Sequence, residues 1–283
     1  MYEKLREEYG DFFFLDVELD GVRAVMIADT GCPTDVLLTE SFARDNFGYR
    51  PDEARQNDPM AQTIRLTSAP NYLFIAGETL ALQDREVDAH KMSAGWSGSE
   101  IAGWIGLPIL AQFACVMDFE GWRLQLARSL RSVIGLAEAA IEGIVRVPIE
   151  HAPEPFVRGR LAGLPGRWLL DTGRTNTAVY YDAYLRAGFP EQELEPPDPD
   201  YWVAGWDCKG FHVESMPIEI GPALLPEEFV AVTDYKPGRD YNQTAIDLWL
   251  GDIGTEALSF FPLVVMSPGA EELILFRAPL GIR

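Results

Sequence analysis

The sequence predicts a mainly β protein made of two similar halves with a few short helices. Three observations lead there. An Asp-Thr-Gly triplet occurs twice, half a chain apart. Short apolar segments broken by glycine turns surround each triplet. A late segment in each half repeats a bulky-bulky-Gly core, a short helix and a closing hairpin.

The elements follow in the same order in both halves. Residues 12–19 alternate as a strand and end on an Asp20-Gly21 turn; residues 156–161 read as the matching strand, with its turn at 163–166. The triplets come next, as Asp29-Thr30-Gly31 and Asp171-Thr172-Gly173, with 142 residues between the aspartates. Thr39 is placed to cap a short helix that stops at Gly48, and Asp182 to cap one that stops at Gly188. The late segments run over 103–126 and 248–276. Gly106 and Gly251 align them, and Gly121 and Gly269 are the expected hairpin turns. The expected division is 1–130 for the first lobe, 131–147 for a connector with a helix over 128–140, and 148–283 for the second lobe. The acidic, Pro-rich stretch 191–200 reads as a solvated loop.

Composition excludes several classes. The 283 residues are 47% hydrophobic and 24% charged, a balance that fits a soluble globular chain with room for two cores. The net charge of -21 comes from 44 acidic and 23 basic residues, with no basic cluster to offset it, so neither nucleic acid nor an anionic membrane is an expected partner. Three cysteines, Cys32, Cys115 and Cys208, are too few and too scattered for a disulfide framework or a metal pair. His90, His151 and His212 stand alone, so no metal is expected. The charged N-terminus has no apolar core of a signal peptide, which predicts a cytoplasmic protein; a periplasmic or secreted one would follow from a removed leader.

The paired triplets carry the chemistry. A carboxylate placed after a buried strand needs donors, and glycine lets the chain turn so that peptide N–H groups point at it. The threonine hydroxyl can tie one loop to the other. Two such loops meeting across a pseudo-two-fold axis bring Asp29 and Asp171 together. Two carboxyls in contact tend to hold one shared proton, an effect for which the aspartic-protease dyad is the standard example. One then serves as base toward a water while the other donates a hydrogen bond to a carbonyl. No cofactor is called for.

These residues resemble the retropepsin-like and pepsin-like aspartic proteases, most of all a tandem, two-lobed form of the bacterial retropepsin-like group, over about 12–126 and 155–276. The resemblance implies two acid-protease β-barrel lobes related by pseudo-two-fold symmetry. It implies an aspartic endopeptidase acting on a peptide or protein substrate, with Asp29 and Asp171 catalytic. One chain would supply the whole pair, so a monomer suffices. Thr30, Gly31, Thr172 and Gly173 match the supporting positions. The family covers its cleft with hairpin flaps, for which 67–72 and 203–211 are the candidates here, with Tyr72 and Trp206 lining the cleft. The family places a small residue after each triplet. Cys32 fits that as a small buried hydrophobe, but Arg174 departs from it. Directed at the pair, Arg174 would favour ionised carboxylates; directed outward, it would change little, and the outward placement is the expectation. A relative that keeps the fold as a peptide-binding module without catalysis is the alternative.

Overall fold

A computed structural model describes residues 2–47, 63–65, 69–90, 100–129, 131–133, 144–151, 155–196, 207–227, 230–234, 248–267 and 271–276. The first half begins with helix α1 (Tyr2–Tyr9). Strands β1 (Phe14–Leu19), β2 (Val22–Asp29) and β3 (Val36–Thr39) follow, then α2 (Glu40–Phe47). Next come β4 (Thr63–Arg65), β5 (Tyr72–Ile75), β6 (Glu78–Ala81), β7 (Val87–His90) and β8 (Ile101–Gly106). The half closes with α3 (Leu107–Leu110), β9 (Ala114–Asp118) and β10 (Arg123–Ala127). The second half has β11 (Ile144–His151), β12 (Pro155–Leu161), β13 (Leu164–Leu170), β14 (Ala178–Tyr180) and α4 (Tyr181–Arg186). It continues with β15 (Asp207–His212), β16 (Met216–Ile220), β17 (Ala223–Glu227), β18 (Val230–Asp234) and β19 (Trp249–Ile253). It ends with α5 (Thr255–Leu258), β20 (Leu263–Ser267) and β21 (Glu272–Phe276).

The protein is mainly β, and its two lobes share one topology. Across the first lobe the strands run β4, β7, β3, β8, β2, β1, β5, β6; across the second they run β15, β18, β14, β19, β13, β12, β16, β17. In each lobe the strand that leads to the triplet is parallel to the bulky-bulky-Gly strand, β2 to β8 and β13 to β19. The remaining strands form a shared sheet in the order β10, β9, β20, β21, β11. At its centre β9 meets β20 antiparallel, with Val116 facing Val265 and Cys115 facing Met266, so strands of the two halves share one ladder. Among the described residues no helix is long and apolar enough to cross a membrane.

Local sequence explains these elements. Asp20 and Gly21 take φ of 46° and 86°, the turn expected there. In the second lobe the same turn is made by Ala162 and Gly163, at 46° and 85°, rather than over 163–166; Gly166 lies within β13, where a Cβ would come 2.4 Å from the Leu248 carbonyl oxygen. Thr39 caps α2 as expected, its hydroxyl accepting the Phe42 N–H at 3.3 Å. Asp182 does not cap α4. That helix starts after Tyr180 without a side-chain cap, and Asp182 sits in its first turn, where an anion favours the helix dipole. Gly188 does end it, at φ 93°.

The register of the late segments also differs from the expected one. Gly103 and Gly251 are the equivalent pair, with φ of 152° and 154° and a neighbouring carbonyl oxygen (Leu37, Ala178) where a Cβ would lie. Gly106 instead matches Gly254, just before α3 and α5. Gly121 sits in the first hairpin turn, with Asp118 accepting its N–H, while Trp122 takes the positive φ; Gly269 lies outside the described residues. The expected connecting helix shows a turn at 131–133, and 134–140 lies outside the described residues. The acidic stretch is more ordered than a plain loop: it holds a 3-10 turn at Glu191–Glu193, and Glu195 exchanges main-chain bonds with Phe211 at 2.9 Å each.

Candidate active site

Each lobe delivers its triplet from the end of a buried strand. Asp29 closes β2 and Asp171 follows β13. The loops are built alike. Gly31 N–H donates to Asp29 Oδ1 and Gly173 N–H to Asp171 Oδ1, both at 2.9 Å. Thr30 and Thr172 exchange bonds across the lobe boundary, each backbone N–H donating to the other's hydroxyl at 3.1 Å. The Thr30 hydroxyl donates onward to the Leu170 carbonyl at 2.6 Å, and that of Thr172 to the Ala28 carbonyl at 2.7 Å. Both threonines are buried, and the N–H and hydroxyl of each are paired. They rest on an apolar floor that includes Phe13, Leu110, Met117 and Met266.

This exchange clamps the two loops, and the aspartates meet. Each carboxyl lies against the glycine of the opposite loop, and the two influence each other's ionisation. The glycines make the approach possible: a Cβ at Gly31 would stand 2.5 Å from Asp171 Cγ, and one at Gly173 would stand 2.2 Å from Asp29 Cγ. Burial of the carboxyls pushes Asp29 up to about 6. It pushes Asp171 up to about 7, with the Asp29 charge adding to the rise and the Arg174 charge opposing it. Two close carboxyls, poorly solvated and raised together, retain a proton at pH values where free carboxylates have lost theirs.

Cys32 is buried, and its Sγ lies 3.7 Å from the Thr34 carbonyl oxygen. Burial and the nearby Asp29 charge drive its thiol far up, so it remains a neutral small side chain. Arg174 does not point to solvent. Its Nη1 donates to Asp252 Oδ2 at 2.8 Å, and Asp252 Oδ1 accepts the Tyr180 hydroxyl at 2.7 Å. Asp252 is 1% exposed. It is a buried carboxylate that feels the charge of Asp171, and sequence reasoning missed it. Its signal was available: a carboxylate inside the apolar segment Trp249–Ile253 needs a partner to be tolerated there.

The flap candidates fare differently. Thr63 faces His90, Arg65 faces Asp88, Tyr72 faces Ala81 and Ile75 faces Glu78, without a slip. Strands β4 and β5 thus keep one register against β7 and β6, and β5 reverses into β6 at Ala76-Gly77. Residues 69–72 of the candidate stretch lead into β5 and are not at that reversal, and 67–68 lie outside the described residues. Tyr72 is exposed and its N–H donates to Asp20, at the turn end of the β1–β2 hairpin. Asp29 lies at the opposite end, about 23 Å along the strand at ~3.3 Å per residue, so Tyr72 does not line the cleft at the aspartates. In the second lobe the Glu195–Phe211 bridge closes a reversal between those residues. Gly210 permits it, since a Cβ there would meet the Glu195 carbonyl oxygen at 2.4 Å. Trp206 lies in that interval, outside the described residues.

Comparison with solved structures agrees with this architecture. An aspartic proteinase from Irpex lacteus superposes with a TM-score of 0.54 over 94% of this chain and 94% of its own, at 12% identity. A retropepsin-like aspartic protease from Rickettsia conorii matches 47% of this chain and 89% of its own, at 15% identity and a TM-score of 0.34. A retroviral protease-like domain from Leishmania major matches 47% and 98%, at 11% identity and a TM-score of 0.31. No protein-family model and no curated protein matches the sequence. The chain has the two-lobed fold of the aspartic proteases.

Proposed function

We propose that this protein is an aspartic endopeptidase, with Asp29 and Asp171 as its catalytic pair in the cleft between the lobes. The observation that supports the reading is the close approach of the two carboxyls where two matching, cross-tied loops meet. In such a pair the ionised carboxylate takes a proton from a bound water, and the water oxygen attacks the scissile carbonyl carbon. The protonated carboxyl donates to the carbonyl oxygen as it gains charge. Collapse of the tetrahedral species sends a proton to the leaving nitrogen. One chain supplies both carboxyls, so the chemistry needs neither a second subunit nor a cofactor. The fold supports the reading without deciding it, because activity resides in the site.

The test is cleavage of a peptide library by the purified protein from about pH 3 to pH 8, read by mass spectrometry beside Asp29→Asn and Asp171→Asn. Cleavage by the native protein and none by either variant is the expected result. A peptide with a hydroxyl-bearing tetrahedral carbon in place of the scissile bond should bind and inhibit. Binding of that analogue with no cleavage at any pH would overturn the enzyme in favour of a peptide-binding module.

A further inference from the structure

We propose that Arg174, Asp252 and Tyr180 form a positioning unit that sets the pH range over which Asp29 and Asp171 keep their shared proton. The proposal rests on the reading of that pair as catalytic. The unit belongs to the second lobe alone. By the shared topology Cys32 stands where Arg174 does, Trp104 where Asp252 does and Thr39 where Tyr180 does. The first lobe builds the same strands and loop without any charge there, so the fold does not require the ion pair. A buried ion pair contributes little net stability against an apolar replacement, and here the apolar replacement is present in the other half.

The geometry states what the pair does instead. Asp252 lies on β19 beside Leu169 of β13 and Ala178 of β14. Arg174 from the active-site loop and the Tyr180 hydroxyl both donate to it, and the charge of Asp171 also reaches it. Arg174 faces Asp252, and its field extends to Asp171 and to the Cys208 thiol on β15. Its Nε has no hydrogen-bond partner, and its side chain is 16% exposed. The guanidinium is thus paired with Asp252 while its charge also reaches Asp171. While Asp252 is ionised it neutralises Arg174, and Asp171 feels a reduced positive field. Without the Asp252 charge, the whole field of Arg174 falls on Asp171. That favours its ionised form and removes the shared proton at lower pH. Without Arg174, the pair holds its proton to higher pH.

The experiment compares Asp252→Asn, Arg174→Gln and the double variant with the native protein in pH–rate profiles of peptide hydrolysis, with circular dichroism as a check on folding. The alkaline limb should move down by about one pH unit in Asp252→Asn and up by about one in Arg174→Gln, and return to within a few tenths in the double variant. Limbs that stay put in both single variants, even with altered melting temperatures, would make the unit purely structural and overturn the proposal. Should Asp252→Asn fail to fold, Tyr180→Phe carries the same test. It removes a donor from Asp252, disfavours its ionised form and shifts the limb down by a few tenths. The carboxyl titration of Asp171, followed by carbon NMR in aspartate-labelled protein and assigned with Asp171→Asn, reports the same shifts if no peptide is cleaved. Loss of the catalytic reading and loss of this one are therefore separately visible.

Discussion

Thr30 and Thr172 stand 142 residues apart in the chain and complete each other's hydrogen bonding, each hydroxyl accepting the other's backbone N–H and donating into the opposite lobe. Replacing Thr30 with Val removes one donor and one acceptor and strands a buried N–H and a buried carbonyl. The expected cost is roughly 2–5 kcal/mol in urea unfolding. Thr30→Ser, which keeps the hydroxyl, should stay within about 1 kcal/mol of the native protein.

Asp29→Asn and Asp171→Asn should each lower peptide cleavage by at least about a hundredfold while leaving the circular dichroism spectrum unchanged. One carboxyl cannot act as base and acid in the same step, and an amide supplies neither role. Substantial activity in either variant would require a different chemistry.

Stability should rise as the solution is made moderately acidic. Asp29, Asp171 and Asp252 are raised to about 6, 7 and 6, with burial the leading cause in each. A carboxyl whose folded pKa lies above its unfolded value contributes stability that is full below about 4 and is lost as pH climbs through 6 to 7. Relief of self-repulsion among a net -21 charges acts in the same direction. The melting temperature should therefore be higher near pH 5 than near pH 8. Asp29→Asn should flatten part of that slope by removing one titrating group.

Two glycines of positive φ separate backbone strain from steric fit. Gly163, at φ 85°, has open space where a Cβ would go, so Gly163→Ala should cost about 1–2 kcal/mol. At Gly251, φ is 154° and a Cβ would stand 1.9 Å from the Ala178 carbonyl oxygen. Gly251→Ala should cost more than about 4 kcal/mol or prevent folding. Chemical denaturation of both variants checks the ranking.

How much was legible in the sequence follows from the range of each interaction. The paired loops, the Asp20-Gly21 turn and the Thr39 cap depend on a few adjacent residues and could be read directly. The late segments have a glycine at two places each, Gly103 and Gly106, Gly251 and Gly254, and only strand pairing with β2 and β13 tells which match. The position of Tyr72 depends on the unbroken register of a hairpin whose arm is interrupted along the chain. Arg174 could be flagged as unusual, but its partner lies 78 residues away and is set by tertiary packing. Helix α1 was also passed over, although Tyr2, Leu5 and Tyr9 share one face of it and Leu5 is fully buried.

The facing of Val116 and Val265 has a consequence for how the lobes are joined. Four successive residue pairs of β9 and β20 stitch the halves, and the threonine exchange adds a second seam nearer the cleft. The lobes are thus woven together by main-chain pairing and do not depend on chain continuity alone. A single cut in the chain between the two halves would leave two fragments still held as one particle, much as a riveted joint survives the loss of its tether. For the same reason, widening the cleft means twisting a continuous ladder. Any opening motion is spread over many peptide groups and concentrated at no single hinge.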